Sequence, residues 1–106
     1  MRAFLIDPIE QAITEVDYNG VYTQIYEFIE ADTFDVATFN ERGDGVFVDD
    51  NGLFKRPQEF FAINGYLQPL AGKGLVLGVG AEGESISPTV DMEWLENNVR
   101  FMNHGS

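Results

Sequence analysis

Apolar and polar positions sketch most of the elements before any composition is considered. Over Arg2–Asp7, Ala3 and Leu5 feed one face and Phe4 and Ile6 the other, which predicts a strand ending at the turn Asp7-Pro8. From Ala12 to Tyr18, Ile13, Glu15 and Asp17 alternate with Thr14, Val16 and Tyr18, the pattern of a half-buried strand. The two strands are expected to pair as an N-terminal hairpin. After Asn19-Gly20 the spacing changes. Val21, Tyr22, Ile25, Phe28 and Ile29 recur every three or four residues and predict one apolar stripe on a helix, with Gln24, Glu27 and Glu30 away from it. Thr33–Phe39 returns to alternation, with Phe34, Val36 and Ala37 as its apolar members.

Gly43-Asp44-Gly45 reads as a breaker. Val46-Phe47-Val48, Asp49-Asp50-Asn51-Gly52 and Leu53-Phe54-Lys55 then predict a second hairpin, because Asn-Gly supplies the positive φ angles of a tight turn. Its register stays open: a four-residue loop opposes Val48 to Leu53, whereas a two-residue loop does not match apolar with apolar. Pro57 cannot donate to a ladder and suits a first helical position, so Pro57–Ile63 is expected to be a short helix stopped by Asn64-Gly65. Leu75-Val76-Leu77 is a buried strand bounded by glycines, and Gly80–Ser87 a loop or weak hairpin. Thr89 or Asp91 caps a last helix with Met92, Leu95, Val99 and Met102 inside and Trp94 beside them. Asn103–Ser106 is a tail, which leaves 1–102 as one domain.

These elements predict an α+β domain: a mixed or antiparallel sheet of five or six strands with two to three helices. The 106 residues suit one domain, and 44% hydrophobic content with nine Phe and four Tyr argues against disorder. With no Cys, disulfides, thiolate metal sites and Cys nucleophiles are excluded. The apolar start ends at Asp7-Pro8, too short for a signal-peptide core, and no segment reaches the roughly 20 apolar residues of a membrane helix. The expected location is the cytoplasm of a host cell.

Charge changes the picture most. Six Lys and Arg against 18 Asp and Glu leave a net charge of −12. Such a field repels nucleic acid and anionic membranes and attracts basic surfaces.

The middle and C-terminal patterns also resemble a family. Val46-Phe47-Val48-Asp49-Asp50-Asn51-Gly52-Leu53, the Pro57-led segment, Leu75-Val76-Leu77-Gly78 and the acidic glycine loop after it are similar to the small acidic domains of unknown function family 3846. The opening strand ending in Asp7-Pro8 is similar too. The resemblance covers nearly the whole chain, and implies a protein of bacteriophages, plasmids and other mobile elements with no catalytic residues to transfer. Family members often carry an Asn and an Ala in the Pro-led helix. Ala62 matches, but Pro57-Gln58-Glu59-Phe60-Phe61 contains no Asn to carry whatever role that residue has.

No catalytic or metal constellation emerges. An EF-hand loop with Gly52 at its sixth position would place Phe47 first and Gln58 twelfth, and neither ligates calcium as required. Gly72, Gly74, Gly78 and Gly80 lack a following Gly-Lys-Ser/Thr, so they mark turns rather than a phosphate loop. His104, the sole histidine, lies in the tail. The chain therefore reads as a non-enzyme with no cofactor and no metal.

Two binding surfaces remain. One is acidic: Glu15 and Asp17 on one strand face, about 6.8 Å apart, Glu27 and Glu30 one helical turn apart, and Asp32 beyond them. Phosphates along a DNA strand have comparable spacing, so this set could imitate DNA to a basic, nucleic-acid-binding protein partner. The other is aromatic: Phe60 and Phe61, with Tyr66, Leu67 and Trp94, either pack the core or form a partner or homodimer patch. The first reading makes the chain a phage or mobile-element accessory protein that inhibits a host protein. The alternative is a homo-oligomeric regulatory or structural module. Direct binding to nucleic acid or membrane is not expected.

Overall fold

A computed structural model describes residues 1–51 and 59–103. In chain order the elements are β1 (Arg2–Asp7), β2 (Ala12–Asp17), α1 (Thr23–Ile29), β3 (Asp35–Thr38), β4 (Gly45–Val48), β5 (Glu59–Ile63), β6 (Leu70–Ala71), β7 (Gly74–Val79), β8 (Ser85–Ile86), α2 (Met92–Asn98) and β9 (Val99–Asn103). The fold is α+β: the described residues form two helices and nine strands in two antiparallel sheets.

The larger sheet has the order β2-β1-β7-β4-β3, with β8 paired to β7; the smaller has the order β6-β5-β9. The expected N-terminal hairpin forms, with Ala3 opposite Val16 and Phe4 opposite Glu15. Strand β7 lies between β1 and β4, with Leu75 opposite both Leu5 and Phe47. Side chains alternate across a pleated strand, so this central position must be apolar on both faces. Leu75, Leu77 and Ala3 face α1, joined by Tyr18, Ile25 and Ile29. Val76, Phe4, Ile6, Val46 and Val48 face the other way, onto Phe61, Ile63, Leu95 and Val99 of the smaller sheet and α2. The molecule is thus layered, with α1 on one face of the large sheet and the small sheet with α2 on the other.

Two glycines permit this packing. A Cβ on Gly74 would lie 2.5 Å from Val46 Cγ1 and 2.8 Å from Phe61 Cζ, so the phenyl ring of Phe61 rests directly on the backbone of β7. Gly65, in the turn after β5, has φ +105°, and its missing Cβ would lie 1.9 Å from the Phe39 carbonyl oxygen.

Three sequence expectations are corrected. Glu59–Ile63 is strand β5, not the C-terminal part of a Pro-led helix; Pro57 itself is outside the described residues. The segment alternates, burying Phe61 and Ile63, and its partners are the distant β6 and β9. The last helix stops at Asn98, whose Nδ2 donates to the Trp94 carbonyl at 2.7 Å. Val99 is extended, and Val99 to Asn103 pair with β5, which removes Met102 from any helical stripe and puts Asn103 in a strand rather than a tail. Finally, β3 and β7 occupy both edges of β4, so Val46–Val48 has no edge for the expected arm Leu53–Lys55. Gly52 and that arm lie outside the described residues. Asn51 does sit in a turn, its amide bonded to Asp49 Oδ1 at 2.9 Å.

Gly65→Ala should destabilise the fold by about 2 kcal/mol or more, because a positive φ and a backbone collision coincide. Gly72→Ala, with φ +81° and nothing within 4 Å of the new Cβ, should cost only about 1 kcal/mol from its left-handed backbone. Urea denaturation of the two variants checks the difference.

Candidate interaction surface

Helix α1 is short and carries its charges unfavourably. No basic residue lies in its last turn, and Glu27 and Glu30 sit where the helix dipole is negative. Its start is held by local polar bonds: Asn19 N–H donates to Gln24 Oε1 at 2.7 Å, and Val21 N–H to Asn19 Oδ1 at 2.8 Å. Its end is a left-handed cap at Glu30, φ 55°. The compensating cation comes from another element. Lys73, just before β7, pairs with Glu30 and lies 3.8 Å from Asp7 Oδ2. The bond to Glu30 raises the lysine's pKa above its usual value, against the opposing effect of burial, and Asp7 and Glu10 add to the rise.

The outer side of α1 differs from the expected stripe. Ile25 and Ile29 are the buried residues of the helix. Val21 and Tyr22 are 53% and 61% exposed. Tyr22 and Tyr26, four residues apart, share one line along the helix, and Glu30 continues it. The rings of Tyr22 and Tyr26 meet edge-on at 6.1 Å; Tyr26 and Phe34 meet at 5.2 Å, as do Phe34 and Phe47. An aromatic line therefore runs from Phe47 on the sheet to Tyr22 at the surface.

The expected acidic set is all exposed, but the pleat divides it. Residues directly opposite in an antiparallel pair share a face. Glu15 opposes Phe4 and Asp17 opposes Arg2, so both project on the α2 side. Glu27 and Glu30 are on α1, across the sheet, and Asp32 follows α1. Asp17 accepts from the N-terminal ammonium at 2.9 Å. The structure thus brings together Glu27, Glu30 and Asp32, and separates them from Glu15 and Asp17.

The aromatic candidates are corrected in part. Phe61 is 0% exposed in the core and offers no surface to a partner, and Phe60 is half-buried on β5. Tyr66 and Leu67 are exposed in the turn that follows. Trp94 stacks on Phe39 at 5.5 Å and 19°. The sequence pattern put Tyr22 in the apolar stripe because the helical spacing that sets it beside Ile25 and Ile29 is the same spacing that marks a core, yet it is exposed.

A second missed residue is Asp44, 0% exposed between Gly43 and Gly45. Its carboxylate receives Asn40 Nδ2 at 2.9 Å, the Thr89 amide at 3.0 Å and the Thr89 hydroxyl. It packs against Gly78, where a Cβ would lie 3.1 Å from Oδ1. Burial alone would push its pKa up; the hydrogen bonds of Thr89, Asn40 and the Thr89 and Val90 amides outweigh that and hold it below the usual carboxylate value. Asp44 thereby ties the β3–β4 loop to the segment leading into α2. Between these walls lies an open pocket of about 520 Å³, with Arg42 and Trp94 at its lining and Arg42 Nη1 3.4 Å from Thr89 Oγ1. Helix α2 begins there on the side-chain cap of Asp91, which accepts from the Trp94 amide at 2.9 Å.

Among the described residues no three metal-ligating side chains converge, and no helix is long and apolar enough to cross a membrane. The chain matches no known family model, no curated protein and no solved structure.

Asp44→Asn should lower stability by about 2–3 kcal/mol at pH 7, since an amide nitrogen would face donors that now bind a charged oxygen. Because the folded-state pKa lies below that of the unfolded chain, the contribution of Asp44 is complete above the unfolded carboxylate value, about 3.9, and is lost as pH falls toward the folded one. Urea midpoints of parent and variant should converge as pH is lowered from 7 to 3.

Proposed function

We propose that this chain is a non-enzymatic binding module that captures a basic, nucleic-acid-binding protein through its acidic surface. The observation that carries the reading is how little of the acidity is neutralised among the described residues. The ion pairs between described residues are those of Lys73 with Glu30 and Asp7, and of the N-terminus with Asp17. Glu15, Glu27 and Asp32 are exposed and take no lysine or arginine there. With a net charge of −12, such a surface draws basic partners at rates that fall steeply with ionic strength. The resemblance to the phage- and plasmid-borne acidic family fits an accessory protein that occupies a host protein's nucleic-acid site. Division of the acids between two faces favours contact through one face, that of α1, over wrapping by the whole molecule.

Displacement of a labelled DNA duplex from a basic, sequence-nonspecific DNA-binding protein tests this. The chain should release the duplex at low salt and progressively fail as salt rises. Glu27→Lys with Asp32→Lys should leave stability within about 0.5 kcal/mol and weaken displacement. If the duplex stays bound at every salt concentration, the acidity serves solubility alone.

A further inference from the structure

Tyr22 and Tyr26 belong to neither part of the core, and Phe34, which packs against the α1-side core, anchors their line to it. Tyr22 is 61% exposed, and Tyr26 is half-buried between Tyr22 and Phe34. Carboxylates border this line. Glu30 extends it by one helical turn, Glu27 adjoins Tyr26 in sequence on the exposed side, and Asp32 precedes Phe34 by two residues. One of these carboxylates, Glu30, already binds a cation, Lys73. Glu27 and Asp32 have no cationic partner among the described residues.

We propose that this tyrosine line is the contact point for arginine side chains of the basic partner. The inference rests on the binding-module reading above and narrows it to one face and one side-chain chemistry. A guanidinium is planar, stacks on aromatic rings and binds carboxylates through paired donors, whereas an ammonium does neither as well. Tyrosine faces attract such a cation when it lies within about 6 Å of the ring centre. Aromatic faces next to uncompensated carboxylates match both halves of arginine chemistry. They also suit a positive partner better than a second copy of this chain, which at net charge −12 would be repelled.

The test uses fluorescent nona-arginine and nona-lysine peptides, equal in charge, with affinity read by polarisation at low and moderate salt. The parent protein should prefer nona-arginine. Tyr22→Leu with Tyr26→Leu should weaken nona-arginine about five- to thirtyfold, which corresponds to about 0.5–1 kcal/mol for each of two ring contacts, and weaken nona-lysine much less. Tyr22→Trp, at an exposed site where folding is not at stake, should tighten nona-arginine about two- to threefold, since tryptophan is the stronger ring partner. Glu15→Lys with Asp17→Lys, on the opposite face, should weaken both peptides equally. If the tyrosine variants leave the arginine preference unchanged while binding stays salt-labile, the tyrosine line is overturned and the acidic module stands. If sedimentation shows a dimer that the Tyr22 variants dissociate, a second copy occupies the line and the proposal is again overturned. If neither peptide binds at any salt concentration, both readings fall.

Discussion

Strand β7 has to be buried on both faces, and the rest of the structure follows from that constraint. It is flanked by β1 and β4, so its backbone is satisfied by ladders on either side, and its side chains need apolar cover above and below. One layer cannot supply this. Helix α1 covers Leu75 and Leu77, while the small sheet and α2 cover Val76. The glycine at position 74 is part of the same constraint, because the ring of Phe61 occupies the space a side chain would take.

The carboxylates illustrate how environment assigns roles to identical groups. Asp44 is surrounded by donors and joins two segments 45 residues apart in the chain; its charge is structural. Glu30 terminates α1 in a left-handed conformation and depends on Lys73 to offset both the strained cap and the helix dipole. Glu27 and Asp32 have neither a set of donors nor a lysine among the described residues and project their charge outward. Net charge therefore understates the directionality of the field, since internal partners take up some of the acids and leave others open.

Asp44 also explains why the β3–β4 loop and the start of α2 hold a fixed relation. Thr89 gives both its amide and its hydroxyl hydrogen to Asp44, so its oxygen faces Arg42 only as an acceptor. The pocket between these segments is lined by both of the stretches that this set of hydrogen bonds joins. The tyrosine line on α1 rests on different support, the ring contacts through Phe34 to Phe47 on the sheet. The two features lie on opposite faces of the large sheet and depend on separate parts of the core.

Local pattern alone determined the first hairpin, the presence of both helices, the buried central strand and the α+β class. In those places the local pattern coincides with the final environment. Tertiary structure decided the rest. Glu59–Ile63 became a strand because β6 and β9, distant in sequence, offered it ladders, and Val99–Asn103 left the helix for the same reason. The side of the sheet taken by Glu15 and Asp17 was set by which face of β1 received α1, a choice that alternation cannot encode. Tyr22 and Asp44 show the same limit in opposite directions. An aromatic residue at helical spacing came to the surface because α1 buries only Ile25 and Ile29, and an aspartate between two glycines was drawn inside because Thr89 and Asn40 converge on it. Burial depends on what packs from far along the chain, and no local pattern contains that information.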